Sequence, residues 1–142
     1  MTEIFRQVTL DGLEPVAIRV KQLIGKTPFP VVFLSGEMGA GKTTFTRVLV
    51  NLFTNAEYVN SPTFNLYNEY ADTNIHIFHF DLYRLAHPQE LDQLGFEEIW
   101  GKQGISIIEW WQKAGTFAPQ ADVEVVFELI DEKTRDITLI KK

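Results

Sequence analysis

The chain has 142 residues, no cysteine and a formal net charge of -6 at neutral pH. A chain of this length with 45% hydrophobic and 23% charged residues is expected to form one soluble domain, which argues against disorder, and the lack of cysteine excludes disulfides, thiolate zinc sites and a cysteine nucleophile. The acidic balance and the scattered basic residues argue against tight, autonomous binding to nucleic acid, where clustered Lys and Arg must neutralise phosphates.

The first residues predict neither a leader segment nor a membrane anchor. Residues 1–6 lack a basic stretch followed by a long apolar one. No apolar run in the sequence approaches the length of a membrane span. We therefore expect a cytoplasmic protein.

The first predicted elements are an edge strand and an amphipathic helix. Residues 3–9 alternate between apolar and polar side chains, as in a half-buried strand. Asp11 and Glu14 resemble a helix-capping pair, and helical periodicity then runs over residues 13–24. Pro15 fits the first turn of that helix.

The next segment carries the most informative motif. Residues 30–34 form a short apolar run that predicts a strand buried on both faces of a parallel sheet. Residues 36–43 match the Walker A pattern Gly-x-x-x-x-Gly-Lys-Ser/Thr, and apolar residues at helical spacing between Phe45 and Phe53 follow. Strand, glycine loop and helix in this order predict a phosphate-binding loop (P-loop) for a nucleoside triphosphate.

The chemistry of the P-loop assigns a role to each of its residues. Glycines let consecutive backbone N–H groups turn toward phosphate oxygens, and the helix N-terminus adds positive charge. Lys42 is expected to contact the β- and γ-phosphates, Thr43 to ligate a magnesium ion, and Thr44 to help hold phosphate. The predicted nucleotide-binding residues are Gly36, Met38, Gly39, Ala40, Gly41, Lys42, Thr43 and Thr44.

The segment after the P-loop helix contains a candidate switch. Residues 58–59 form a short β-prone piece, and a second β-prone run covers residues 63–70. Between them, Ser61 and Thr63 lie where many nucleotide hydrolases place hydroxyl groups that sense the γ-phosphate. A plain turn at Pro62 that leads into a strand is the alternative.

Another strand is predicted at residues 75–83, after a turn at residues 72–74. Because side chains alternate along a strand, His79 and Asp81 share one face and His76 lies on the other. This argues against a metal site built from the two histidines. His79 is expected to be a hydrogen-bonded core residue.

Residues 88–100 are expected to be helical and are acidic, so they form either a solvated face or a surface for a partner. They include Asp92-Gln93-Leu94-Gly95, which matches the short Asp-x-x-Gly pattern of GTPases. A GTPase would also need an Asn-Lys-x-Asp segment to read guanine, and the sequence has none. The helical context and this absence argue against a GTPase.

The C-terminal part predicts one more buried strand and a hairpin. Residues 104–108 form a compact apolar run that ends at Glu109, and residues 122–130 and 135–140 predict two antiparallel strands. Together the elements indicate an α/β fold: a three-layer P-loop NTPase-like domain with a mixed parallel and antiparallel sheet and a C-terminal β-hairpin. Residues 1–142 are expected to form a single P-loop ATPase domain.

Two acidic residues at strand ends are candidates to complete the site. A magnesium ion on a triphosphate needs a carboxylate from a neighbouring strand. Glu109 is expected to serve magnesium, directly or through water, and Asp81 to serve magnesium or to orient the attacking water. Trp110 or Trp111 is expected near the nucleotide or a partner, with core packing as the alternative. Arg84 either adds positive charge near the phosphates or forms a surface ion pair.

Four motifs in order give the chain a family resemblance. They are the P-loop, Ser61-Pro62-Thr63-Phe64, the segment His79-Phe80-Asp81-Leu82-Tyr83-Arg84, and Glu109-Trp110. With them the chain resembles the TsaE family of small bacterial P-loop ATPases, from about Thr9 to the C-terminal hairpin.

The resemblance implies a part in making threonylcarbamoyladenosine, the modified base beside the anticodon of tRNAs that read codons beginning with A. It implies ATP and Mg²⁺ as ligands and the TsaD and TsaB proteins as partners. TsaD performs the transfer, and ATP hydrolysis is expected to reset the complex between turnovers. Contact with tRNA is expected only through that complex.

The resemblance also implies roles for individual residues. It makes Lys42 and Thr43 the phosphate and magnesium residues, Glu109 a magnesium residue, Asp81 a further catalytic acid, Ser61 and Thr63 a switch, Trp110 a functional aromatic, and Thr9 a residue near the adenine. Two departures from the family pattern are Gly12-Leu13-Glu14, which weakens the assignment of Thr9, and Met38 in place of a common leucine. Met38 is expected to be harmless because phosphate contacts there use backbone N–H groups.

Two rival functions fit parts of the same pattern. A small-molecule or nucleoside kinase shares the P-loop and the magnesium carboxylate, but it usually has a basic lid, and no Arg-rich insertion is present. A nucleotide-regulated docking module would bind ATP without useful hydrolysis. The absence of an obvious arginine finger leads us to expect slow hydrolysis by the isolated protein and stimulation by its partners.

Overall fold

The structure is a computed structural model that describes residues 1–54, 66–71 and 73–142. The predicted switch residues Ser61 and Thr63 lie outside the described residues. Within these ranges the strands are β1 (Thr2–Val8), β2 (Val31–Ser35), β3 (Tyr67–Ala71), β4 (His76–Asp81), β5 (Ile105–Glu109), β6 (Val123–Leu129) and β7 (Arg135–Lys141). The α-helices are α1 (Glu14–Ile24), α2 (Lys42–Phe53) and α3 (Leu91–Leu94), and 3-10 turns cover Leu10–Gly12, Pro88–Glu90, Phe96–Glu98 and Trp111–Phe117.

The strands form one mixed sheet in the order β1-β7-β6-β2-β5-β4-β3. The four central strands β6, β2, β5 and β4 run parallel, β7 and β3 flank them antiparallel, and β1 pairs antiparallel with β7 at one edge. This arrangement confirms the predicted mixed sheet, the edge position of β1 and the C-terminal hairpin of β6 and β7. It also places β2 in the middle, which explains its continuous apolar sequence.

The two faces of β2 belong to two separate hydrophobic clusters. Val32 and Leu34 pack with apolar residues of α1 and α2 on one face. Val31 and Phe33 point the other way, toward the cluster that contains Phe80. Alternating side chains of one central strand therefore hold helices on one side and the short helical segments on the other, which confirms the three-layer α/β fold.

The predicted capping pair before α1 does not form. The N-cap is Leu13, without a side-chain cap, and Asp11 lies inside the preceding 3-10 turn. That turn is closed by the Gly12 N–H, which donates to the Thr9 carbonyl over 2.9 Å. Because Leu13 is fully buried, core packing and this turn set the start of α1 in place of a polar cap. Pro15 lies in the first turn, as predicted.

Residues 88–100 do not form one helix, contrary to the sequence prediction. They fold as two 3-10 turns around the one-turn helix α3, with a break at Gly95, where φ is 74°. Leu91, Phe96 and Trp100 are all buried against the same cluster, although their spacing does not place them on one stripe of a continuous helix. The break therefore allows all three side chains to enter the core. Asp92 and Glu98 remain exposed.

None of the helices in the described ranges combines the length and the apolar character needed to cross a bilayer.

Two glycines just before β5 test whether a close backbone contact with β4 requires glycine. Gly104 has φ of 50°, and a Cβ there would collide with the backbone carbonyl of His76, whereas Gly101, with φ of 75°, faces open space. We expect Gly104→Ala to lower the free energy of unfolding by about 2–4 kcal/mol, because the clash adds to the backbone strain. The control Gly101→Ala carries only the strain of the left-handed conformation, about 1 kcal/mol. Urea denaturation measures both, and equal losses would contradict the clash.

Candidate functional site

The loop between β2 and α2 has the backbone shape that the glycine motif predicts. Gly36, Gly39 and Gly41 have φ angles of 150°, 81° and 107°. A Cβ on Gly36 would lie 2.7 Å from the carbonyl oxygen of Phe127, so only glycine fits between the loop and β6. The first turn of α2 begins at Lys42, and the N–H groups of a first helical turn are natural partners for an anion.

Beside this loop lies a cleft of about 520 Å³. Ten predicted site residues line it: Met38, Gly39, Gly41, Lys42, Thr43, Thr44, Asp81, Arg84, Glu109 and Trp110. Gly36 and Ala40 belong to the loop without forming the cleft wall. Thr9, which the resemblance places near the adenine, is the N-cap of the first 3-10 turn, and its neighbour Leu10 lines the cleft.

Parallel pairing of the central strands brings the two predicted acids together. Asp81 is the last residue of β4 and is opposite Glu109, the last residue of β5, while Glu109 is also opposite Leu34 of β2. Neighbouring strands lie about 5 Å apart, and parallel strands end at the same edge of a sheet. Both carboxylates therefore lie at the carboxyl edge from which the P-loop leaves β2.

Glu109 is held in place by a buried histidine. Its side chain is almost completely buried, and its Oε2 lies 2.5 Å from Nε2 of the fully buried His79. Because an ionised carboxylate only accepts hydrogen bonds, His79 donates from Nε2. The hydrogen-bonded core histidine predicted from the sequence is thus present, and its partner is a site residue.

Lys42 lies in the cleft without a direct ion pair to either acid. Its ammonium group donates to the Gly36 carbonyl over 2.6 Å and lies 4.4 Å from the centre of the Trp110 ring. Burial lowers the pKa of Lys42, and the negative charges of Glu109 and Asp81 oppose this effect. The cation is therefore held by a carbonyl and an aromatic face, beside two carboxylates that it does not neutralise by contact.

The pKa of Asp81 is shifted upward, in the opposite direction to that of Lys42. Burial raises its pKa, the hydrogen bond from the Tyr83 backbone N–H lowers it, and the charge of Glu109 raises it again. The Tyr83 N–H donates to Oδ1 of Asp81 over 3.0 Å. The net result is a carboxyl group whose pKa lies above its ordinary value. Ionised Asp81 is thus held in the cleft at a cost to the folded state.

The two adjacent tryptophans have different surroundings. Trp110, in a left-handed conformation with φ of 56°, lines the cleft with its ring 5.1 Å from that of Tyr83. Trp111 stacks on Phe33 at 4.5 Å and donates from Nε1 to Ser35 Oγ over 2.8 Å. The structure therefore places Trp110 at the site and Trp111 against the core, a division that the sequence left open.

Arg84 is exposed at the cleft and forms no ion pair within the described part of the chain. This position fits the first of its two predicted roles, in which it adds positive charge beside the cleft. The alternative, a surface ion pair, would need a carboxylate partner outside the described ranges.

Four further residues at or behind the cleft were not predicted from the sequence. Leu10, Leu66 and Tyr83 line the cleft, and Arg135 is buried behind the P-loop, where its Nε donates to the Ala40 carbonyl over 3.1 Å. Arg135 had a readable signal, because it is in phase with the core-facing Ile137 and Leu139. A charged residue in an apolar phase indicates a special partner. Nothing comparable singles out the other three.

Comparison with known families agrees with this geometry. A family model described as "Threonylcarbamoyl adenosine biosynthesis protein TsaE" matches residues 10–137, which is most of the chain. The chain belongs to the TsaE family. The resemblance inferred from the four sequence motifs is therefore confirmed.

Individual TsaE proteins are also similar in sequence to this chain. A tRNA threonylcarbamoyladenosine biosynthesis protein TsaE from Haemophilus influenzae is 41% identical over 110 residues, which cover 78% of this chain and 69% of that protein. The TsaE protein of Bacillus subtilis is 35% identical over 130 residues, covering 92% and 81%. A match to the Rickettsia felis protein, 41% identical over 115 residues, covers 80% of this chain and 66% of the relative.

A solved structure supports the fold. The crystal structure of YdiB from Bacillus subtilis superposes with a TM-score of 0.76 at 27% sequence identity, covering 99% of this chain and 86% of that one. The mixed sheet and its helices are therefore shared with an experimentally determined structure.

The free-energy cost of keeping Asp81 ionised in the cleft leads to a prediction about stability. Because the folded pKa of Asp81 lies above its ordinary value of 3.8, the ionised carboxylate destabilises the folded protein, and Asp81→Asn should raise the melting temperature of the ligand-free protein at neutral pH. The gain should be fully present above the folded pKa and should vanish as the pH falls through it toward 3.8. Melting curves over that range measure it.

The control for this prediction is Glu132→Gln, which removes one negative charge from an exposed residue between β6 and β7. It should leave the melting temperature nearly unchanged at each pH. A lower melting temperature for Asp81→Asn at neutral pH, or a gain independent of pH, would contradict the assigned cost of the buried charge.

Proposed function

We propose that this chain is a magnesium-dependent ATPase whose hydrolysis of ATP serves the threonylcarbamoyladenosine modification of tRNA through the TsaD and TsaB proteins. One observation carries the ATPase part: Lys42, Asp81 and Glu109 meet at one cleft beside a glycine loop and the start of a helix. Family membership carries the pathway.

The size and charge of the cleft suit a triphosphate. The cleft volume of about 520 Å³ lies within the usual range for small-molecule sites. The loop glycines have the positive φ angles that let successive N–H groups face an anion, and Lys42 adds a cation. Leu10 and Trp110 provide apolar surface in the same wall, which suits a nucleoside. ATP is therefore the ligand that we assign to the cleft.

The same wall offers oxygen ligands for magnesium. Thr43, Asp81 and Glu109 all line the cleft, and hydroxyl and carboxylate oxygens are the ligands that Mg²⁺ takes when it is bound to phosphates. A bound magnesium ion would offset charge on the phosphate oxygens. The hydrogen bond from His79 fixes the orientation of Glu109, so we assign Glu109 to the metal, directly or through water.

Hydrolysis then depends on one cationic and one acidic side chain of the cleft. Lys42 donates one hydrogen bond to the Gly36 carbonyl, and its remaining N–H donors can serve phosphate oxygens. Asp81, whose carboxylate is not bonded to His79, is the group that we assign to accept a hydrogen bond from the attacking water. Its raised pKa makes it a better proton acceptor than an ordinary aspartate.

Partners are expected to complete the site. Within the described residues Arg84 is the single arginine of the cleft wall, and it is exposed. An arginine that partner contacts do not hold in place stabilises developing charge poorly, so we propose slow hydrolysis alone and stimulation by TsaD and TsaB. The net charge of -6 fits a role in which the partners contact tRNA.

Lys42→Ala is the variant that tests the ATPase proposal. Removal of the ammonium group should reduce ATP turnover by about a hundredfold or more, because the cation is lost where phosphate charge develops. Release of free phosphate, measured with and without TsaD and TsaB, gives the rate. The matched control Lys26→Ala removes an exposed lysine in the loop after α1 and should turn over like the wild type.

Three outcomes would count against the proposal. Wild-type turnover in Lys42→Ala would reject the role of Lys42. Rapid hydrolysis by the isolated wild type that TsaD and TsaB do not change would reject partner stimulation. Formation of ADP without free phosphate, dependent on an added acceptor, would indicate the rival kinase.

Glu109→Ala tests the metal assignment. Loss of the carboxylate should raise the magnesium concentration needed for half-maximal turnover by about tenfold or more, because a ligand fixed by His79 is removed. Glu109→Gln keeps the size and the hydrogen-bonding capacity beside His79, so it isolates the loss of charge. The control Glu128→Gln changes an exposed acid on β6. An unchanged magnesium dependence in Glu109→Ala would reject the assignment.

A further inference from the structure

Arg135 is a buried cation that has no role in the proposed reaction. It is the first residue of β7, its side chain is 2% exposed, and it points to the same side as the fully buried Ile137 and Leu139. No carboxylate in the described ranges forms an ion pair with it. A buried charge is costly unless polar groups surround it, so the groups that do contact Arg135 show what it is there to hold.

The contacts of Arg135 are backbone carbonyls from two distant parts of the chain and from the adjacent turn. Its Nε donates to the Ala40 carbonyl over 3.1 Å. Its Nη1 lies 3.3 Å from the carbonyl oxygen of Val8 and 3.4 Å from that of Lys133. One guanidinium therefore ties the P-loop to the end of β1 and to the turn that precedes β7. Such planar, multidentate bonding is specific to arginine.

The bond to Ala40 fixes the direction of the next peptide N–H. The described chain contains no cis peptide bond, so the carbonyl of Ala40 and the N–H of Gly41 point in opposite directions across one peptide plane. Arg135 does not line the cleft, so we infer that the carbonyl it holds is directed away from the cleft. The N–H of Gly41 must then point to the cleft side, which Gly41 itself lines.

The packing around Gly41 supports the same direction. A Cβ on Gly41 would lie 3.3 Å from Cδ2 of Leu10 and 3.6 Å from Nε of Arg135, and the φ angle of Gly41 is 107°. Leu10 and the guanidinium therefore line the space beside this glycine, where a side chain would meet both. The positive φ angle would also strain any other residue at this position.

We propose that Arg135 is a positioning residue of the phosphate site, which orients the Ala40–Gly41 peptide so that its N–H faces the bound phosphates. It touches no phosphate itself and acts through the peptide. Its positive charge also polarises the Ala40 carbonyl, which strengthens the N–H of Gly41 as a donor. Through Val8 the same side chain anchors the segment that carries Leu10 into the cleft wall. The inference rests on the proposed binding of nucleotide in this cleft.

Two substitutions of Arg135 and one matched control test the proposal. Arg135→Met removes the charge and all the donors but keeps much of the apolar stem, and Arg135→Lys keeps the charge but loses the planar fork. Ile137→Ala, on the same face of the same strand and fully buried, destabilises the hairpin core but removes no hydrogen bond to the P-loop, because the isoleucine side chain has no donor. Melting curves establish that each variant is folded at the temperature of the assay.

The first measurement is calorimetric binding of ADP and of inorganic tripolyphosphate. Arg135→Met should weaken the binding of both ligands by about tenfold or more, because the oriented N–H of Gly41 contacts phosphate and not the base. Arg135→Lys should show an intermediate loss. Ile137→Ala should bind like the wild type although it is less stable. Wild-type affinity in Arg135→Met, or a loss of affinity in Ile137→Ala that matches its loss of stability, would overturn the proposal.

The second measurement needs no ligand. In protein labelled with ¹⁵N-glycine, the amide resonance of Gly41 should move in Arg135→Lys and stay in place in Ile137→Ala. An unmoved Gly41 resonance in Arg135→Lys would overturn the inference even if Arg135→Met fails to fold. If the wild type binds neither ADP nor tripolyphosphate, the proposed function fails instead, and the resonance still decides whether Arg135 orients the peptide.

Discussion

Parallel pairing of β2, β5 and β4 is the constraint on which the rest of the site depends. It sets Leu34, Glu109 and Asp81 side by side where three strands end. The P-loop leaves the sheet at that same edge, because β2 is the strand that precedes it. A shift of one residue in either pairing would turn an acid away from the cleft, since side chains alternate. The apolar side chains of these strands pack into the two hydrophobic clusters on either face of the sheet.

Within the cleft, charged groups are kept close together without being neutralised by one another. Lys42 is bonded to the Gly36 carbonyl, Glu109 to His79 and Asp81 to the Tyr83 N–H, and no ion pair joins the lysine to either acid. Burial disfavours the charged forms of Lys42 and Asp81. This arrangement has a cost in the folded protein, and it agrees with the triphosphate and metal that we propose for the cleft. The left-handed conformation of Trp110, beside Glu109, adds backbone strain at the same place.

The antiparallel half of the sheet supports the site from behind. The hairpin of β6 and β7 brings Phe127 against Gly36 and Arg135 against Ala40, so the loop is packed on a rigid surface and is not suspended between a strand and a helix. β1 joins the same support through the Val8 carbonyl. A C-terminal hairpin that is remote from the glycine loop in the sequence thus supports the candidate site. Strands from both halves of the sheet therefore contribute to the surroundings of the cleft.

The sequence by itself determined the P-loop, its flanking strand and helix, the hairpin, and the two acids at the ends of β4 and β5. These are local patterns of glycine, apolar runs and alternation, and short-range backbone physics is enough to specify them. Only the tertiary structure decided that Asp81 is opposite Glu109, that Trp110 faces the cleft while Trp111 packs on Phe33, and that residues 88–100 break at Gly95. It also decided that Arg135 contacts Ala40, 95 residues away in the chain. Strand order and the competition of side chains for one core set these contacts, and no local periodicity contains that information.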